Sequence, residues 1–152
     1  MTVDNADYER GQTSARDCVF CDIVARRAPA QIVTETSFTT IIVPLNPVTE
    51  GHVLVIPHGH VSDALESPSV TGLTMTAACE YALKHQHCNL ITSCGTLATQ
   101  SVRHLHIHVI PRHPFDGLAL PWGDNDMQSA EYRHNAYLFY SGEGSPTGRI
   151  VQ

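Results

Sequence analysis

Apolar residues gather in four short runs of strand length and one longer mixed stretch. "SFTTIIVPLNP", Ser37 to Pro47, and "GHVLVIP", Gly51 to Pro57, are dense in Ile, Val and Leu and end on Pro. β-Branched residues suit a pleated, buried surface, and proline stops a ladder. "NLITS", Asn89 to Ser93, reads as a third strand. The fourth run, "SVRHLHIHVIPR", Ser101 to Arg112, alternates His104, His106 and His108 with Leu105, Ile107 and Val109. Successive side chains of a strand point to opposite faces. The spacing therefore predicts three imidazoles on one face and an aliphatic stripe on the other. The outer two would stand ~13 Å apart, four strand rises. That is long for one metal ion and suits a row reading an extended ligand.

The mixed stretch, "SPSVTGLTMTAACEYALKHQH", predicts the main helix over Val70 to His87, capped by Ser67 or Ser69. Leu73, Met75, Ala77 and Tyr81 form its rough 3.6-residue stripe. Asp22 to Arg27 reads as a short helix, and a further one is expected within Ser129 to Gly142. Strands on both sides of one long helix, with short connections, imply an α+β fold. We expect an antiparallel sheet of about five strands, one long helix and a short N-terminal helix. Residues 1–16 read as a flexible arm, 17–140 as a single domain and 141–152 as a tail.

Composition narrows the partners. The 152 residues carry a formal charge of −6, with 9 basic side chains. A nucleic-acid binder needs a basic footprint, so that class is disfavoured. Arg103, Arg112 and the histidines can still serve a small anionic ligand. No apolar run approaches the ~20 residues of a membrane span. The polar start lacks a signal-peptide pattern, so a cytoplasmic protein is expected. Five cysteines do not pair evenly. Cys79, Cys88 and Cys94 read as small hydrophobes or neutral thiols.

Imidazole serves as nucleophile, proton carrier or metal ligand near neutral pH. A row divides these roles. A neutral central ring attacks phosphorus, one neighbour fixes its tautomer, and another neutralises phosphate oxygens. A site in which all three histidines bind metal stays open at this point.

"HLHIHVI" resembles the signature of the histidine triad (HIT) family. The likeness extends to "CVFCDIVARRAPAQIV", "PLNPVTEGHVLVIPHGHV", "ATQSVRHLHIHVIPR" and "DGLALPW", spanning about residues 18 to 122. It implies a HIT-like fold and a nucleotide hydrolase or nucleotidyl transferase acting at an α-phosphate. His106 would be the nucleophile, forming a nucleotidyl-histidine intermediate. His108 would touch phosphate oxygens and the leaving group, His104 would stand behind the nucleophile, and His52 would help hold the row. Ser101 matches a phosphate-binding position, with Gln100 beside it. Dinucleoside polyphosphates are the substrates "VIPR" and "DGLALPW" lean towards. A nucleoside phosphoramidase, or a nucleotide-binding or sensing protein with weak turnover, is the alternative. A homodimer is expected from the same likeness.

"CVFC" is a Cys-x-x-Cys without a preceding strand, which speaks against the redox form of that motif. The resemblance implies structural zinc on Cys18, Cys21, His60 and His104. His58, His85, His87, His113 and His134 read as surface or structural. The chain departs from the family at Pro44, where many members place an aspartate against ribose. Asn46 is the nearest substitute, Ser93 stands for a longer amide, and Glu50 replaces a common proline. Ile42, Leu45, Ile23 and Phe20 are the apolar candidates for a nucleotide pocket.

Overall fold

Two cores, one on each face of a twisted sheet, organise the fold. The computed structural model describes residues 15–114 and 116–120. Most of the expected arm, the helix expected within 129–142, His134 and the tail lie outside them. The chain divides into two units, Met1–Asp116 and Gly117–Gln152, and every strand and helix below belongs to the first.

In chain order these are α1 (Val19–Val24), β1 (Ile32–Glu35), β2 (Thr39–Ile42), β3 (Val53–Pro57), α2 (Pro68–Ala82), β4 (Cys88–Ile91) and β5 (Ile107–Pro111). The five strands make one sheet in the order β1-β2-β3-β5-β4, with every neighbouring pair antiparallel. This is the expected α+β arrangement, with one main helix and a short N-terminal one.

α2 starts two residues before its expected beginning. Pro68 occupies the first turn, where its missing N–H is no loss, and the Ser67 hydroxyl accepts the Val70 N–H at 3.4 Å. The helix ends at Ala82, five residues short of expectation. There the His85 N–H turns back to the Ala82 carbonyl, and the chain reaches β4 at Cys88. Its inner face is small: Thr74, Ala78 and Ala82 are buried. They bring α2 against Ile41, Val53, Val55, Ile107 and Val109, with Met75, Ala77 and Tyr81 at the margin. Leu73, expected in the stripe, is 56% exposed instead. Low side-chain volume, not apolar length, sets which face packs.

The opposite face is covered by α1. Cys18, Phe20 and Ile23 pack on Ile42, Leu54 and Ile56. Alternation along β3 separates the cores: Val53 and Val55 serve one, Leu54 and Ile56 the other. His108 pairs with Leu54 on β3 and with Ile91 on β4, which places it on the α1 face in the middle of the sheet.

Candidate active site

β5 begins at Ile107, so only His108 of the three alternating histidines lies in regular strand. His104 and His106 sit in the irregular run that enters it. The expectation of one strand across the row fails because the hydrogen bonds of that run go elsewhere. The Leu105 N–H donates to the Val61 carbonyl at 2.7 Å, and the His104 N–H to Val102 at 2.9 Å. The loop after β3 thus replaces a strand partner. Gln100 adds to this brace. Its amide donates to the Ser62 and Val102 carbonyls at 2.6 and 2.9 Å, while its carbonyl accepts the Gly95 N–H at 2.8 Å. Arg103 and Asp63, both largely enclosed, form an ion pair at 3.7 Å across the same junction.

The three rings are packed but not equivalent. His104 is fully buried, His106 is 5% exposed and His108 is half-buried. Phe20 from α1 meets His106 edge-on, with centroids 5.2 Å apart, and His104 at 5.9 Å. His106 and His108 have centroids 5.2 Å apart.

Backbone carbonyls and amides decide which nitrogens carry protons. A carbonyl only accepts, so His106 Nδ1–H donates to the His104 carbonyl at 2.7 Å. A neutral His106 therefore keeps its lone pair on Nε2. The Val48 N–H donates to His52 Nδ1 at 3.1 Å, which puts the His52 proton on Nε2. His52 Nε2–H in turn donates to His108 Nδ1 at 2.9 Å. His108 is left with its proton on Nε2. One ring thus presents a lone pair and its neighbour a donor.

Burial keeps these rings neutral. It lowers the pKa of His106 below the ordinary imidazole value of 6.5, against the opposing bond to the His104 carbonyl. It pushes His108 down to about 4, helped by His106 and His52. His52 is lowered by burial as well.

A second cluster backs the row. Cys18 caps α1 and Cys21 lies in it, so three-residue spacing turns both sulfurs to one side. Cys18 Sγ lies 3.3 Å from His104 Nδ1, and Cys21 Sγ lies 3.3 Å from His60 Nδ1 and 3.5 Å from His104 Nδ1. All four ligand atoms fall within 4.8 Å of one another. Tetrahedral zinc with usual bond lengths sets sulfur and nitrogen ~3.6 Å apart, so this donor set fits such an ion. His104 Nε2–H donates to the Pro57 carbonyl at 3.0 Å, which frees Nδ1 as the ligand atom. Burial pushes this imidazole down to about 4, and burial with the Cys18 thiol pushes Cys21 up to about 11. Without an ion, the Cys21 thiol and the His104 imidazole are therefore held uncharged. Of the three alternating histidines, this cluster takes His104 alone.

The remaining candidates scatter. Ser101 is exposed, Ser93 is half-buried, and Asn46 and Leu45 are exposed, Leu45 at 99%. Ile42 is core at 3% exposure, packed with Phe20 and Ile23. Gln100 gives both amide hydrogens to backbone carbonyls, which leaves it no N–H for a phosphate. Arg112 is engaged with Asp116 at 2.7 and 3.0 Å and with Asn89 at 2.7 Å, not held out for an anion. His58 Nε2–H donates to Thr40 at 3.1 Å, a structural use. Sequence reasoning missed Thr92, whose hydroxyl donates to the His106 carbonyl at 2.8 Å.

A family model for the HIT domain matches residues 25–115. An adenylylsulfatase of Arabidopsis thaliana is 33% identical over 83% of this chain and 64% of its own. An adenosine 5'-monophosphoramidase of Saccharomyces cerevisiae is 29% identical over 69% of each chain. Among solved structures, a zinc-bound histidine triad family protein from Mycobacterium smegmatis superposes with a TM-score of 0.60. It is 30% identical, covering 86% of this chain and all of the other (100%).

Proposed function

The chain belongs to the HIT family, and on that premise we propose that it cleaves a nucleotide at its α-phosphate, with His106 as nucleophile. The observation that carries this reading is the bare Nε2 of His106 beside the Nε2–H of His108, each set by a bond from behind. His106 Nε2 forms a bond to the α-phosphorus and the bond from phosphorus to the leaving group breaks. The positive charge on the nucleotidyl imidazole is eased by the Nδ1–H bond to the His104 carbonyl. Water, or another acceptor, then attacks phosphorus and releases the ring.

His108 donates a hydrogen bond to the phosphate or leaving-group oxygens. With its imidazole pushed down to about 4, His108 is neutral near pH 7 and holds no second proton to pass to a leaving group. We therefore favour leaving groups that depart as anions, sulfate above all, over amines, which must leave protonated. The adenylylsulfatase relative supports this order, and the phosphoramidase relative keeps the amine class as the second reading. The engagement of Arg112 with Asp116 removes one support for polyphosphates.

Cys18, Cys21, His60 and His104 would hold structural zinc, which would pin α1 to the run that bears the nucleophile. We take the partner to be a second copy of the chain, against the outer side of α2, where Leu73 and Leu83 are exposed.

Turnover of adenylyl sulfate, a diadenosine polyphosphate and an adenosine phosphoramidate tests the assignment. We expect the sulfate to give the highest kcat/KM and His106→Ala to abolish release of AMP from all three. Undiminished turnover by His106→Ala overturns the reading.

A further inference from the structure

β4 and β5 pair through Leu90↔Val109 and Ile91↔His108, and there the ladder ends. One more step in the same register would set Thr92 opposite Ile107. That step is not made by backbone. Instead the Thr92 hydroxyl donates to the His106 carbonyl at 2.8 Å. A side chain thereby supplies the bond a strand N–H would have given. This carbonyl belongs to the peptide leaving His106, and its plane fixes ψ at that residue. The ring is fixed separately, by Nδ1–H on the His104 carbonyl. Two bonds, one to backbone and one to ring, direct the imidazole, with the Phe20 ring packed against it.

We infer that Thr92 is a positioning residue for His106, aligning the nucleophile through its main-chain carbonyl. The inference rests on the role given to His106 above. A valine in its place would pack as well and suit the strand end better, so only the hydroxyl distinguishes the two. Attack on phosphorus depends steeply on alignment, and displacement by ~1 Å can lower a rate by about a hundredfold.

The test compares the full-length protein with Thr92→Val and Thr92→Ser, using adenylyl sulfate as substrate. Thr92→Val should lower kcat by about tenfold while KM stays within about twofold, the signature of lost transition-state alignment. Thr92→Ser should recover most of the parent rate. In 15N-histidine-labelled protein without ligand, the His106 Nδ1–H resonance should shift in the valine variant and return in the serine variant. Parent-like kcat and an unmoved resonance in Thr92→Val, with only a lowered melting temperature, would show a purely structural hydroxyl and overturn the inference. A raised KM at unchanged kcat would overturn it too. If the parent does not use His106 at all, the proposed function fails, and the resonance still decides whether Thr92 holds that ring.

Discussion

His106 and His108 carry the same side chain two residues apart, yet end with opposite hydrogen-bonding character at Nε2. The difference lies behind each ring: a carbonyl that only accepts at His106, and a donating imidazole at His108. His52→Phe removes that donor while keeping an aromatic ring. His108 is then free to take the other tautomer. We expect kcat to fall by about tenfold or more, as when a tautomer-fixing partner is lost, with folding retained. Steady-state kinetics with circular dichroism checks this. Burial sets the pH response. Because the His106 pKa is lowered, the acid limb of kcat/KM should lie below pH 6.5, the ordinary imidazole value. Stability follows the same sign. His108, at about 4, binds its proton in the unfolded chain before the folded one. The unfolded state then holds more protons between pH 6.5 and about 4. Stability should fall as pH falls through that window, and this contribution levels off below about 4. Urea midpoints across the range report it. The alternating histidines were legible from spacing alone, because a titratable ring recurs at every second position against an aliphatic stripe. The His52–His108 bond was not, since nothing local to "GHV" announces a partner 56 residues away.

At the scale of elements, the run 100–106 is held by the loop after β3 and not by a strand. Gln100 is the central tie. Gln100→Leu leaves the Gly95 N–H and the Ser62 carbonyl without their partner, while the Val102 carbonyl keeps the His104 N–H, and should lower stability by ~2 kcal/mol. Denaturant titration measures this, and KM should change little. A raised KM at parental stability would mean that the amide touches substrate after all. The sequence placed β2, β3, β4 and α2 within a few residues, because each has an apolar run or a cap of its own. β1 escaped placement. "IVTE" has one half-buried residue followed by three exposed ones, so no alternation marks it as a strand. Where β5 begins was not legible either. Its alternating pattern continues backwards past Ile107, but the loop at Val61 takes the ladder's place, a tertiary choice that periodicity does not encode. Thr92 escaped for the same reason.

Across the whole molecule, α1 and the histidine-bearing run before β5 meet at the Cys18–Cys21–His60–His104 cluster, drawn from segments far apart in the chain. Metal analysis should find about one zinc per chain, as a closed four-ligand site requires, and Cys21→Ala should remove it. Stripping the metal with a chelator should lower the melting temperature by several degrees, because binding free energy in such a site is folding free energy. The Cys-x-x-Cys was visible at once, and its two imidazole partners came from family likeness and not from spacing.

Rapid quenching of the full-length protein during turnover of adenylyl sulfate labelled in the adenylyl group, followed by peptide mapping, asks whether the nucleotidyl group passes through His106. One acid-labile, base-stable phosphorus–nitrogen adduct is expected, on His106 and absent from His106→Ala. Turnover without any such adduct, or with label on another residue, would contradict it.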